Sequence, residues 1–251
     1  MHCSELAGIR DMLSRRVMLG VGLAFGAAAT RAAVAGPAAA TEQAAKLAPL
    51  PVAVILGDNA TLIDFAGPWD VLSSAAYAGC AGFSVYSVSA TRDPIMCDDG
   101  RGKMGGMPRN GLTVVPDFRF DDAPMPRIAI MGAQSSDDPR AIAWIRHVAN
   151  SQALVASVCT GAFLLAKTGL LDGHSATTNR NAYDRFAEMF PKVKLMRGVR
   201  FVESGQFATA TGLTAGIDLA LRVTERYYGH AIAENIAAYE EWTSRDWIVK
   251  N

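Results

Sequence analysis

The sequence predicts an α/β domain in which helices cover both faces of a mostly parallel central sheet. Short runs rich in β-branched residues alternate with segments of helical periodicity from residue 50 onward. No internal repeat or low-complexity segment interrupts that part of the chain. Roughly 210 residues follow the first forty, and a chain of about that length forms one domain with a substantial core.

The first half of the domain begins with a strand and a helix. Segment 51–57 has the pattern of a buried strand, and 64–68 leads into a helix that reaches about Ala78, with Pro68 in its first turn. The other elements predicted in this half are a strand at 83–90, an exposed loop rich in glycine and methionine at 98–111, strands at 112–115 and 127–131, and a helix at 137–150.

The second half is built around a strand that runs directly into a helix. The strand is predicted at 153–158, the turn at 159–161 and the helix at 162–167. Only some twenty residues follow residue 228, so we expect no second domain. The other predicted elements are a short strand at 175–178, a helix at 181–190, a hairpin of 199–202 and 206–209 around Ser204 and Gly205, and a helix at 214–228 that Gly229 ends.

The first forty residues have the pattern of an export signal. Arg15 and Arg16 precede an apolar run rich in Ala and Gly that ends near Ala40, and this order favours the twin-arginine route. A membrane anchor or an ordinary N-terminal helix is the alternative, but Arg31 and the many small residues make the run a poor anchor. We expect a signal at 1–40, a linker at 41–49 and a catalytic domain at 50–251.

The expected location is therefore periplasmic or otherwise exported rather than cytoplasmic, with no stable membrane anchor after cleavage. The chain has 24 basic and 24 acidic side chains, of which residues 1–40 hold four basic and two acidic ones. The remaining chain therefore has 20 basic and 22 acidic side chains. Because nucleic-acid binding needs a concentrated basic face, we expect no nucleic-acid partner. No His pair or Cys/His cluster has the spacing of metal ligands. We predict no metal and no cofactor, and a small molecule as the binding partner.

Three cysteines remain after the signal, which are Cys80, Cys97 and Cys159. An odd number in an oxidising compartment leaves at least one thiol unpaired within the chain. Cys80 could pair with Cys97, or both could be buried structural thiols. A disulfide between Cys80 and Cys97 would leave Cys159 as the unpaired thiol.

The turn at 159–161 has the features of a nucleophile site. A strand that enters a helix through a sharp turn presents its corner residue above the sheet edge, and small neighbours such as Ser157 and Gly161 fit the crowded turn. The start of the helix would favour the thiolate of Cys159 and could hold an oxyanion. We predict that Cys159 is a nucleophile; an inert buried cysteine is the alternative.

Three ordered blocks carry a family resemblance. They are SVCTGAFLLA at 157–166 with GLLDG at 169–173 and ATT at 176–178, DFAGPWDVL at 64–72, and ATG at 210–212 with AGIDLAL at 215–221. Together they resemble the ThiJ/PfpI superfamily, and within it the isonitrile hydratase branch, which has Asp before Gly-Pro and Thr directly after the cysteine. The resemblance covers about residues 50 to 230.

The resemblance implies a flavodoxin-like three-layer sandwich that forms a homodimer and uses no metal or organic cofactor. Isonitrile hydratases add water to an isonitrile and release an N-substituted formamide. The residues implied are Cys159 as nucleophile, Asp64 as acid and base from the first loop, Thr160 as an assisting hydroxyl, Gly132 and Ala133 as backbone N–H donors to the intermediate, and Gly67 as a further substrate contact.

The chain departs from the family pattern at Asn179, at Ala133 and in the stretch 97–109, which is long and atypical, and together these departures affect the expected substrate. Asn179 stands where many relatives have His after Thr-Thr, and Ala133 replaces the second glycine of a Gly-Gly pair. The absence of His after Cys159 counts against amidase, peptidase or glyoxalase-like chemistry. A non-catalytic redox, stress or ligand-sensing protein, with a cysteine oxidised to sulfinic acid, is the other alternative. Asp64 could also merely cap its helix.

Overall fold

The computed structural model describes residues 48–97, 111–135 and 138–249. The expected signal, most of the expected linker and most of the expected loop at 98–111 lie outside these residues. Within them, the strands are β1 (Leu50–Ile55), β2 (Phe83–Ser89), β3 (Ile95–Cys97), β4 (Leu112–Val114), β5 (Phe118–Arg119), β6 (Ile128–Met131), β7 (Leu154–Val158), β8 (Ser175–Ala176), β9 (Lys194–Leu195), β10 (Phe201–Ser204) and β11 (Phe207–Ala210).

Seven strands form the central sheet, in the order β10-β11-β7-β6-β1-β2-β5. Every neighbouring pair is parallel except β10 and β11, which form an antiparallel hairpin closed at Gly205. The prediction of a mostly parallel sheet and of this hairpin is confirmed. The central strands are buried on both faces, as β1 illustrates: its last four residues, 52–55, are all inaccessible to solvent.

Helices cover both faces of the sheet, which confirms the three-layer sandwich. They are α1 (Leu62–Ser74), α2 (Pro139–Asn150), α3 (Gly161–Lys167), α4 (Tyr183–Met189), α5 (Ala215–Tyr228) and α6 (His230–Tyr239), with short 3-10 helices at Ala75–Ala78 and Arg180–Ala182. On one face α1, α5 and α6 pack through Leu72, Leu219 and Ile236. On the other, α2, α3 and α4 pack through residues that include Phe163 and Phe186.

The first helix begins earlier than the sequence predicts. We expected Pro68 in its first turn, but α1 starts at Leu62 and Pro68 lies in its interior. The ring is accommodated because it packs against α5, where a Cβ built on Gly216 would lie 3.1 Å from Pro68 Cγ. As a consequence Asp64 lies in the first turn of α1 and not ahead of it.

Two further differences concern the segment after β2. The strand expected at 112–115 is present as β4, but it pairs with β3 in a separate antiparallel ribbon and does not join the central sheet. The second difference is β3 itself, for which the sequence predicts no strand. It has three residues, too few for a periodicity to be recognised.

None of the helices in the described ranges is long and apolar enough to cross a membrane.

The described cysteines form no disulfide. Cys97 is buried in β3 within a cluster that contains Val54 and Phe65. The Cys80 thiol donates a hydrogen bond to the Ala75 carbonyl at 3.1 Å and packs against a different cluster. The alternative in which both residues are structural thiols is therefore the one the fold contains.

Gly161 fixes how closely α3 approaches the end of β6. A Cβ at this position would lie 2.5 Å from the Met131 carbonyl oxygen and 2.8 Å from that of Gly132. Both distances are well inside van der Waals contact, and both atoms belong to the backbone of the sheet. The helix start and the strand end can therefore be this close only with glycine here.

We predict that Gly161→Ala lowers the free energy of unfolding by about 3 kcal/mol or more, because two backbone oxygens must move. Gly198→Ala is the matched control: Gly198 has φ +73° and no neighbour within 4 Å, so it reports backbone strain alone, about 1 kcal/mol. Urea denaturation measures both. Equal losses in the two variants would contradict the close approach.

Candidate active site

The backbone turns sharply at Cys159, directly after β7. Cys159 has φ +59°, a left-handed conformation that costs a non-glycine residue about 1 kcal/mol or more. Two hydrogen bonds hold it there: its N–H donates to the Ala210 carbonyl at 3.0 Å, and the Thr178 hydroxyl donates to its carbonyl at 2.9 Å. The predicted nucleophile turn is thus present, and it is anchored from two other segments.

The 211–213 turn packs closely against the sulfur of Cys159. Gly212 has φ +132°, and a Cβ on it would lie 3.1 Å from Cys159 Sγ. Leu213 follows with φ +51°. Cys159 is left 7% exposed, so the thiol is nearly enclosed by protein.

Asp64 lies against this thiol, fully buried. Its Oδ2 accepts the Ala133 N–H at 2.9 Å and its Oδ1 accepts the Leu213 N–H at 3.2 Å. The carboxylate also lies close enough to the Cys159 thiol for each group to shift the pKa of the other. Gly132 makes room for it, because a Cβ there would lie 2.7 Å from Asp64 Cβ. Cys159 and Asp64, predicted to act together, are in contact.

The alternative role for Asp64 as a helix cap is wrong. The N-cap of α1 is Thr61, whose side chain makes no capping bond, and Asp64 is the third residue of the helix. Its two backbone donors belong to distant segments, after β6 and before α5. Asp64 therefore joins three parts of the chain and does not cap its own helix.

Burial raises the pKa of the Asp64 carboxyl from 3.8 to about 6, against the lowering effects of the Ala133 and Leu213 N–H groups and of the Cys159 thiol. Burial, then the charge of Asp64, raises the pKa of the Cys159 thiol to about 11. The Thr160 N–H and the Asn179 amide offset only part of this increase. At neutral pH the site therefore holds a carboxylate beside a protonated thiol.

This result corrects the expectation that the start of α3 favours the thiolate. The Thr160 N–H does act on the sulfur in the expected direction. The effect is outweighed because the sulfur is enclosed and because a buried negative charge lies beside it. A neighbouring base is the other general route to a reactive thiol, and the Asp64 carboxylate lies beside this one.

Asn179 occupies the position where the sequence lacks a family histidine. Its Nδ2 lies 3.4 Å from Cys159 Sγ, and its Oδ1 accepts the Asn181 N–H at 3.0 Å. Because the amide oxygen is engaged by a backbone donor, the NH₂ group faces the sulfur. Sequence comparison with the family pattern marked this position only as a departure, and the contact itself was missed.

The other predicted site residues have mixed outcomes. The Ala133 N–H, expected to donate to an intermediate, donates to Asp64 and so orients the carboxylate. Gly67 lies inside α1, where a Cβ would be 3.0 Å from Ile217 of α5, so helix packing accounts for this glycine. Thr160 is the N-cap residue of α3, with no capping bond from its hydroxyl, and lines a cleft.

That cleft, the α3–α4 cleft, has a volume of about 520 Å³. It begins at Gly132, Thr160 and Gly161, directly beside the nucleophile turn, and extends along α3 and α4. Cys159 does not itself line this cleft, but the next two residues, Thr160 and Gly161, do. A second cleft of about 270 Å³ lies at the carboxyl ends of β1 and β2. No cluster of three metal-ligating side chains occurs in the described parts of the chain.

Comparison with known proteins gives a family and two kinds of relative. The model of the DJ-1/PfpI family matches residues 51–226. Isonitrile hydratase of Pseudomonas putida is 28% identical over 198 residues, which cover 77% of this chain and 78% of the hydratase. The HTH-type transcriptional regulator GbdR of Pseudomonas aeruginosa is 28% identical over 194 residues, which cover 75% of this chain. The match spans only half of that regulator's length.

Solved structures agree on the fold. A ThiJ/PfpI family protein from Pseudomonas syringae superposes with a TM-score of 0.66 at 22% identity, over 84% of this chain and 81% of that protein. Identity at this level supports the architecture and not a particular activity.

The contacts at Cys159 predict how fast its thiol is alkylated. Removing the negative charge in Asp64→Asn lowers the thiol pKa, so Cys159 should react with iodoacetamide roughly tenfold faster at pH 8.5 than in the wild type. Asn179→Ala removes an N–H donor to the thiolate and should slow the reaction. Peptide mass spectrometry measures the rate, with Cys80 in the same digest as the internal control. Equal rates at Cys159 in wild type and Asp64→Asn would exclude this interaction.

Proposed function

This chain belongs to the DJ-1/PfpI family, and from that premise we propose that it is a cysteine-dependent hydratase that converts a small isonitrile into an N-substituted formamide. The observation that supports the proposal most is the Asp64 carboxylate held against the Cys159 thiol. A thiol that adds to an isonitrile carbon must give up its proton as it attacks. The Asp64 carboxylate beside Cys159 is a base that can accept this proton.

In the first step the sulfur forms a bond to the terminal carbon of R–N≡C. Asp64 accepts the thiol proton and delivers it to the same carbon. The product is a thioimidate, R–N=CH–S–, whose sulfur is that of Cys159. The Asp64 pKa of about 6 suits both transfers, because the group is ionised at neutral pH yet is a stronger base than an ordinary carboxylate. The Asn179 amide, 3.4 Å from the sulfur, stabilises charge there as the proton leaves.

In the second step water attacks the thioimidate carbon and Asp64 accepts a proton from it. Asp64 delivers that proton to the nitrogen, the C–S bond breaks, and the second proton of the water passes to the sulfur. R–NH–CHO then leaves, with Cys159 restored as a thiol and Asp64 as a carboxylate. The Thr160 hydroxyl, in the lining of the α3–α4 cleft, assists by holding the water. Water in and formamide out balance the cycle without a cofactor.

The raised thiol pKa argues against a peroxide sensor, because oxidation proceeds through the thiolate. The similarity to a transcriptional regulator favours a second candidate, a ligand-binding domain in which the same site binds a small molecule without turnover. Catalytic turnover separates the two functions.

We expect formamide production from cyclohexyl isonitrile, with kcat reduced about 10³-fold or more in Cys159→Ala and about 10²-fold or more in Asp64→Asn. Asp70→Asn is the matched control, because Asp70 is exposed on the same helix. Gas chromatography of the formamide measures the rates. Absence of turnover in a folded wild type would support the binding-domain candidate instead.

The pH dependence follows from Asp64. Below pH about 6 its carboxyl is protonated and cannot accept the thiol proton, so kcat/KM should fall on the acid side with an apparent pKa near that value. No fall is expected between pH 7 and 9, because the thiol stays protonated there. An acid limb that persists unchanged in the residual activity of Asp64→Asn would assign it to another group.

A further inference from the structure

The α3–α4 cleft has a cationic side chain, Arg185, in its lining. No described residue of that lining bears a carboxylate. Its apolar walls come from Phe163, Leu164 and Met189. A cavity with apolar walls and a cationic side chain in its lining suits a small organic anion.

Arg185 is the group in this cleft that is placed to bind such an anion. Its guanidinium carbon lies 5.2 Å from the centroid of the Phe163 ring, which is itself part of the cleft lining, so a cation–π contact holds the group at this wall. No carboxylate in the described ranges forms an ion pair with Arg185. By contrast Arg197, on a neighbouring segment, pairs with Asp184 at 2.8 Å. Arg185 therefore keeps its N–H edges for a ligand.

Thr160, which directly follows Cys159, and Arg185 both line the α3–α4 cleft. A ligand in this cleft can therefore have its reacting carbon beside the nucleophile turn and its anionic group at Arg185.

We propose, on the basis of the proposed hydratase function, that the substrate is an isocyanocarboxylate whose carboxylate is bound by Arg185. Its hydration gives an N-formyl amino acid, with the carbon skeleton against the apolar wall of the cleft. The planar fork of Arg185 matches the two oxygens of a carboxylate, and a charge-assisted bond of this kind orients the isonitrile carbon toward the sulfur. Arg185 is thereby a specificity-determining residue.

The kinetic test compares isocyanoacetate with its methyl ester, which differ in one negative charge. Wild type should prefer the carboxylate, and the ratio of the two kcat/KM values should fall about tenfold in Arg185→Gln. Arg197→Gln removes the same charge from a pair outside the cleft and should keep the wild-type ratio. An unchanged ratio in Arg185→Gln, or an equal fall in Arg197→Gln, overturns the inference while leaving the hydratase proposal intact.

A binding measurement separates failure of this inference from failure of the proposed function. N-formylglycine and its methyl ester are titrated into the same three proteins by calorimetry. Tighter binding of the acid by wild type, weakened about tenfold in Arg185→Gln only, supports the carboxylate site even if no isonitrile is turned over. Equal affinity for acid and ester in wild type overturns it.

Discussion

The close approach of the Asp64 carboxylate to the Cys159 thiol is the interaction on which the rest of the site depends. A buried carboxylate without a cationic partner is costly unless other groups stabilise it. Here the backbone N–H groups of Ala133 and Leu213 do so, one to each oxygen. The carboxylate can therefore be retained in a nearly dry site, where it is more basic than an exposed one.

This arrangement explains why the surrounding backbone is so constrained. The contact needs the first turn of α1, the end of β6, the turn after β7 and the 211–213 turn to meet at one point. Gly132, Gly161 and Gly212 each face a neighbour at 3.1 Å or less if given a Cβ. Cys159 itself has a left-handed backbone. Strain and close packing of this kind persist only where the surrounding structure compensates for them.

The sequence predicted the architecture and the Cys159–Asp64 pair well, because long buried runs and spaced family blocks identify strands and turns. It failed where tertiary contacts decide. Pro68 is tolerated inside α1 because it packs against Gly216. The Ala133 N–H was expected to contact an intermediate, but spacing cannot show which acceptor it meets. The raised thiol pKa could not be predicted, because it depends on the depth of burial of two groups that are far apart in the chain.

The proposed covalent bond between the Cys159 thiol and the isonitrile is tested most directly by the mass of the Cys159 peptide during turnover. The protein is mixed with excess alkyl isonitrile, quenched in acid within the first turnovers, digested and analysed by mass spectrometry. We predict that the Cys159 peptide gains the full mass of the isonitrile, and that this species disappears as substrate is exhausted. Rapid formamide production with an unmodified Cys159 at every time point would contradict it.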